Sequence, residues 1–575
     1  VERRTGHLQN DFRSRRALNC GKANEVTTLS QGRLTARPRA FDTGDIGRSQ
    51  VNGLGSARDQ GGELLVHIAL ITEGSYPFVR GGVTTWCDQL IRGLPQHDFE
   101  VVALLGDGSE PVVMELPPNV TGLRRMALWG RCGSRCAPRG SAWEDFEASF
   151  ALVLSALVRN HPGAPSDFVS GLRGMHRWAQ GHDLHSALAS ERATHLVLEH
   201  WDKSERWQAW SEQRPARHMS LQDALVATDL LEHLLRPLSQ SAPRADLCHP
   251  VSNGLPTLVA MTAQWTYGTP MVMSEHGVFL RERYLALQNF VYGWPVKQLV
   301  LAFYRRLSEA GYAAAELIAP VNVFNQRWEV HGGADPDRIV TAYNGVDPQN
   351  FSELPEPTVP TIGWVGRIDP LKDLETLVRG FAIVRDKVPA AKLRLFGPVP
   401  PGNESYAKYI RDLVDSFRLE DVATFEGPVS PVSEAYRASS VVALTSVSEG
   451  LPYTVIEAMM SWRATVSSDA GGVAEVVGDT GLLFPVGELE EFARACVTLL
   501  SDASMRRRMA EAGRARATAM FDLDRMLGSF GSMYVDLLNR GQFNLDGPTD
   551  LAPSRPASSR TLAEGLAPYR HQAAT

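Results

Sequence analysis

Between Thr361 and Ser446, short apolar runs and amphipathic runs take strict turns. TIGWVG, AKLRLFG, VATFEG and VVALTS have strand length and composition. Between them LKDLETLVRGFAIVRDKV, SYAKYIRDLVDSFRL and PVSEAYRASS have helical period. Strands joined through helices at this spacing make a parallel sheet wrapped by helices. Such a topology also says where a ligand sits, because open α/β sheets bind at the carboxyl ends of their strands. On that edge stand Gly366 and Arg367, then Lys372, Gly397, the loop 427–431 that opens at Gly427, and a glycine loop at 467–478 carrying Glu475.

The strand end at Leu444–Met460 carries the most chemistry. TSVSEGLPYTVIEAMM reads as a tight loop opened by Glu449-Gly450 and a helix beginning near Pro452, a residue that loses nothing by lacking an N–H in a first helical turn. The free N–H groups from Tyr453 and Thr454 onward, with the positive end of the helix dipole, form an anion site. Glu449 and Glu457 frame it, seven residues apart. Carboxylates beside an anion site suit flanking hydroxyl groups, which donate to them. Arg367 and Lys372 on the same edge suit a diphosphate. A nucleotide-sugar, with a diphosphate between two sugar rings, fits this set.

This stretch resembles the E-x7-E signature of glycosyltransferase family 4, retaining enzymes of the GT-B fold: two Rossmann-like α/β domains facing a cleft. The resemblance implies that Glu449 contacts the transferred hexose and Glu457 the nucleotide ribose. It also implies that Gly450 and Leu451 line the donor loop. Leu451-Pro452 stands where many members have Phe-Gly.

The chain has 575 residues, enough for two to four domains. A net charge of −7 argues against a nucleic-acid partner. Six scattered cysteines suit a reducing compartment. Cys132 and Cys136 are the one close pair, and without a second pair at ligand spacing no zinc site is expected. No apolar run reaches about 18 residues and no signal peptide is expected, so the expected location is cytoplasmic, with a peripheral place at the inner membrane left open. Residues 1–62 hold eleven Lys/Arg against six Asp/Glu and few large apolar residues, and are expected to be a disordered basic tail. The Pro/Ala/Ser-rich 541–575 reads the same way.

Order is expected from Leu64. LLVHIALIT is a strand, Gly81-Gly82 ends the following loop, and VTTWCDQLIRGL is helical, the opening of a Rossmann-like unit without G-x-G-x-x-G. FEVVALLG at 99–106 is a second strand. Residues 107–240 are expected to be a largely helical insertion, in which THLVLEH reads as strand or helix. From 245 the α/β rhythm returns, and MVMSEHG ends a strand on Glu275, His276 and Gly277, with Arg281 and Arg283 beyond. Asn344-Gly345 is a structural turn at the passage between domains, 341–360 the linker, 361–520 the second domain, and 521–540 a helix returning to the first.

EGSYPFVRGGVTTW, ADLCHPVSNG and SEHGVFLRER narrow the resemblance to PelF-like exopolysaccharide glycosyltransferases over roughly 64–541. It implies that Gly81 and Gly82 bring backbone N–H groups to the donor diphosphate, and that His276 lies by the transferred sugar. The implied activity is transfer of a hexose from a nucleotide-sugar, UDP-glucose or another UDP-hexose, to a growing glycan. No cofactor or metal is called for; inner-membrane polysaccharide synthesis or export proteins are further partners. Two rivals stay open: a nucleotide-sugar 2-epimerase of the same fold, and a non-catalytic scaffold.

Overall fold

The computed structural model describes residues 65–130, 140–159, 161–204, 218–288, 290–353 and 355–542. The tail 1–62, residues 543–575 and the Cys132/Cys136 pair lie outside the described residues.

The first sheet is built from β1 (His67–Glu73), β2 (Asp98–Leu105), β3 (Val120–Ala127) and β4 (Leu247–Pro250), all parallel, in the order β3-β2-β1-β4. A parallel bridge from Cys248 to Met271 then leads to β5 (Val272–Glu275), which pairs with β6 (Leu317–Pro320). The order across is therefore 3-2-1-4-5-6. The second sheet repeats it: β7 (Thr361–Val365), β8 (Lys392–Phe396), β9 (Ala423–Gly427), β10 (Val441–Leu444), β11 (Ala464–Ser468) and β12 (Leu482–Phe484) run β9-β8-β7-β10-β11-β12, all parallel. In each sheet the order reverses beside the first strand, which opens a crevice at the carboxyl edge.

The apolar run at β1 is explained by burial on both faces. Ala69 and Ile71 join a core with the helices Ala142–Val158, Ala164–Ala179 and Trp294–Ala314. Ile68 and Leu70 face the other way, onto Trp86, Leu90 and the last helix, Leu523–Gln542. That helix belongs by sequence to the second half of the chain. Met526, Phe530, Met533, Tyr534 and Leu537 are buried in the first sheet's core. The chain crosses between halves twice, and the two crossings are bridged: Val346 N–H donates to the Phe521 carbonyl at 2.8 Å, and Leu523 N–H to the Val346 carbonyl at 3.2 Å.

Residues 107–240 are not purely helical. Val120–Ala127 is an edge strand with one buried residue, so its sequence, VTGLRRMA, carries no apolar signal. Pairing with β2 and an Arg124–Glu100 ion pair at 2.8 Å hold it. THLVLEH lies within the helix Glu191–Asp202, capped by Ser190. Phe351, inside the expected linker, is buried against Tyr436 in the second half. Among the described residues no helix is long and apolar enough to cross a membrane.

Candidate active site

The buried β10 ends at Leu444, and the loop 445–452 leads into the helix Tyr453–Met460. Pro452 stands at the N-cap with extended backbone, one position before the first turn. Its carbonyl accepts from the Val455 and Ile456 N–H groups. The N–H groups of Tyr453 and Thr454 have no intrahelical partner and point outward from the helix start. Val455, Ile456 and Ala458–Met460 are buried and anchor the helix. The Thr454 hydroxyl donates to the Val365 carbonyl at 3.2 Å, so the helix start is tied to the end of β7, beside Gly366 and Arg367. Gly366 in turn lies under Gly397, whose φ of 138° is open to glycine; a β-carbon there would sit 1.8 Å from the Gly366 carbonyl oxygen.

Glu449 and Lys372 form an ion pair at 2.6 Å, with the Glu449 side chain 12 % exposed and that of Lys372 24 % exposed. Asp369 caps the short turn Pro370–Lys372, and the Thr445 hydroxyl holds the Lys372 carbonyl at 2.8 Å. Arg367 is exposed and makes no ion pair among the described residues. Glu457 accepts a bond from the Tyr436 hydroxyl at 2.5 Å. Burial lifts its carboxyl to about 7, against the pull of that bond. The two glutamates thus have different neighbours: a cation for Glu449, a neutral donor for Glu457.

The first half of the chain supplies the opposite wall. A β-carbon on Gly82 would lie 3.5 Å from the Tyr453 ring, and the Tyr453 hydroxyl donates to Gln89 at 3.1 Å. The helix Gly82–Gly93, which Gly81 caps, therefore starts against the start of the helix Tyr453–Met460. His276 follows β5 and packs edge-on to Trp86, ring centroids 4.7 Å apart. Its Nε2 is buried with no partner among the described residues. Burial pushes its pKa down to about 4, which keeps the imidazole neutral near pH 7. The His276 carbonyl oxygen leaves room for nothing but glycine at position 450, where a β-carbon would be 1.9 Å away.

Glu275 departs from the placing at the ligand edge. It turns into the core, accepts from the Tyr312 hydroxyl at 2.9 Å and the Phe279 N–H at 3.3 Å, and burial raises its carboxyl. Burial and the nearness of the Glu275 carboxyl raise its neighbour Glu329 as well. Arg283 sits half-buried with its guanidinium 5.2 Å from the centre of the Phe279 ring, and Arg281 is half-buried beside it. Glu475 spans the two halves: its carboxylate accepts from the Val323 and Phe324 N–H groups and from the Tyr343 hydroxyl.

The structure thus brings Gly366, Arg367, Lys372, Glu449, Gly450, Leu451, Tyr453, Thr454 and Glu457 to one edge, with Gly81, Gly82 and His276 across from it. Tyr436, Asn322 and Asn344 also belong to the assembly, and sequence reasoning passes over them. Tyr436 precedes Glu457 by 21 residues on another element, which no local pattern reports. Asn322 reads as an ordinary N-cap and Asn344 as half of a turn dipeptide. No group of three or more His, Cys, Asp or Glu is arranged to hold a metal ion among the described residues. Chemically the edge offers cations and a helix start for a diphosphate, with a carboxyl group on either side.

Residues 66–337 match the model of a domain of unknown function (DUF3492), and residues 359–502 that of glycosyl transferases group 1. D-inositol 3-phosphate glycosyltransferase of Stackebrandtia nassauensis is 31% identical over 221 residues, 34% of this chain and 49% of that protein. Sulfoquinovosyl transferase SQD2 of Arabidopsis thaliana is 26% identical over 284 residues, 47% of this chain and 53% of that protein. The chain spans about half the length of the curated relatives it matches. Sucrose-phosphate synthase of Thermosynechococcus elongatus superposes with a TM-score of 0.53 at 17% identity, covering 82% of this chain and 99% of that one. Anabaena HepE, solved in complex with UDP and glucose, superposes with a TM-score of 0.52 at 16% identity, covering 81% and 99%. These likenesses are likenesses of fold.

Proposed function

We propose that this chain, a two-domain GT-B protein related to the group 1 and PelF-like glycosyltransferases, is a retaining hexosyltransferase. It moves a hexose from a nucleotide-sugar, a UDP-hexose, to a growing exopolysaccharide or related glycan. The observation that carries this reading is the edge at 449–457: a lysine–glutamate pair at 2.6 Å and a second, neutral-paired glutamate on either side of an uncapped helix start.

In this reading the diphosphate lies against the Tyr453 and Thr454 N–H groups. As the C1–O bond of the sugar breaks, negative charge grows on the leaving phosphate while the ring takes oxocarbenium character. Arg367, Lys372 and the helix start lie on the edge that faces that charge, and donors held there are worth a few kcal/mol each. These groups do the work a metal ion does elsewhere. Glu457 accepts from the ribose hydroxyls and Glu449 from the hexose. Neutral His276, its Nε2 free, orients the transferred sugar. Among the described residues no nucleophile stands out for a double displacement, so in this reading the acceptor hydroxyl attacks C1 on the face the phosphate leaves, and its proton passes to that phosphate.

The test is a screen of UDP-glucose, UDP-N-acetylhexosamines and GDP-mannose, with and without oligosaccharide acceptors. Free nucleoside diphosphate together with an extended glycan is expected. A changed sugar nucleotide without free UDP or GDP would point to epimerisation, and no turnover of any donor would point to a scaffold.

A further inference from the structure

The loop that carries Glu449 is held by side chains from the other half of the molecule. Asn322, fully buried, donates from Nδ2 to the Gly450 carbonyl at 2.8 Å. Asn344, also buried, donates from Nδ2 to the Leu451 carbonyl at 3.1 Å. Asn322 is itself fixed at both ends of its amide, while the Asn344 Oδ1 is buried with no partner among the described residues. The Asn322 Oδ1 accepts from the Asn325 N–H at 2.7 Å, capping the helix Val323–His331. Glu475 returns from the second half to hold the residues next to each: Val323 after Asn322, and Tyr343 before Asn344. Gly472 is part of the same fit, since a β-carbon there would be 2.2 Å from the Gly450 carbonyl oxygen and 2.7 Å from the Asn322 Nδ2.

A trans peptide is planar, and its C=O and N–H point in opposite directions. A clamp on the Gly450 carbonyl therefore also fixes the direction of the Leu451 N–H, which has no partner among the described residues. The next peptide, Leu451-Pro452, has no N–H to offer, and Asn344 fixes its plane through the carbonyl. The Leu451 N–H is thus the last backbone donor before Tyr453, and its direction is set from across the cleft.

We propose that Asn322 is a positioning residue that aims the Leu451 N–H at the outer phosphate of the donor, with Asn344 bracing the adjoining Leu451-Pro452 peptide, so that the second domain's diphosphate site is complete only when the first domain is seated on it. This rests on the donor reading of the 449–457 edge. It makes preference for a diphosphate over a monophosphate, rather than nucleotide binding as such, the property that depends on the asparagines.

The test is calorimetry of UDP and UMP, or GDP and GMP if the wild-type chain takes guanine nucleotides, on Asn322→Ser and Asn344→Ala. Serine keeps the N-cap of the Val323–His331 helix but is too short to reach the Gly450 carbonyl. The expected result for Asn322→Ser is diphosphate affinity lowered about tenfold, monophosphate affinity within about twofold of wild type, and a melting temperature lowered by no more than about 4 °C, the effect of one lost buried hydrogen bond. Asn344→Ala is expected to move the same ratio in the same direction. Equal loss of both nucleotides, or no loss of either in a folded Asn322→Ser, would overturn the positioning role and leave the donor site standing. A wild-type chain that binds neither diphosphate would overturn the donor site and this inference together.

Discussion

Glu449 and Lys372 neutralise one another at 2.6 Å, mostly out of water. Removing one member leaves the other charge poorly compensated, and here both are also assigned to the donor. Glu449→Ala is expected to lower transfer by at least about a hundredfold while the circular dichroism spectrum stays that of the wild type. Near-normal turnover would take Glu449 out of the site. Arg367 differs, because among the described residues it has no ion-pair partner to lose. Arg367→Ala is therefore expected to leave stability alone and weaken UDP about tenfold by calorimetry, and unchanged affinity would reject its phosphate role. Glu457 adds a pH dependence. Burial lifts it to about 7, so its carboxyl is mostly protonated below that pH and ionised above it. The ionised form accepts two hydroxyl donors, and the protonated form gives one of those positions to its own proton. Affinity for UDP-glucose, whose phosphates do not titrate near neutrality, should rise between about pH 6 and 8, and Glu457→Gln should flatten the rise. A flat wild-type profile would separate Glu457 from the ribose.

At the scale of elements, the second half was legible because each strand and helix announces itself. VVAL and TIGWV are short and apolar, the helices between are amphipathic, and the loops fall where the strands end. The helix start at Tyr453 was legible through Pro452 and the glutamate spacing, although Pro452 is the cap and not part of the first turn. The edge strand Val120–Ala127 was hidden because one residue of eight is buried, and an edge strand needs no apolar run. Glu275 was misplaced for a related reason. A strand end shows which residues reach the edge but not which way each turns, and Tyr312, which captures Glu275, is 37 residues downstream. The clamp made by Asn322, Asn344 and Glu475 was hidden because each is an ordinary residue for its local element. Elements also set the stability of the assembly. Phe530 is buried among Trp86, His249 and Tyr534, its ring 5.2 Å from that of Trp86. Phe530→Ala is expected to cost about 3–5 kcal/mol in urea unfolding, and a loss under about 1 kcal/mol would mean the helix Leu523–Gln542 is not part of the first core.

Over the whole molecule, two sheets of identical strand order present their carboxyl edges to one another, and the chain passes between them at Val346 and Asp522 through strands bridged side by side. The loop at 449–452 and His276 meet directly across the halves, where a β-carbon on Gly450 would lie 1.9 Å from the His276 carbonyl oxygen. The last helix has a consequence for anyone who divides the molecule. A cut near residue 356 would strand the five apolar side chains of Leu523–Gln542 on the wrong fragment, while the remaining fragment would bare Ile68, Leu70 and Trp86 to water. Produced alone, the 65–353 fragment should aggregate, and a synthetic peptide spanning 521–542 should restore its solubility, because the last helix completes a core that the other lobe's end of the chain supplies.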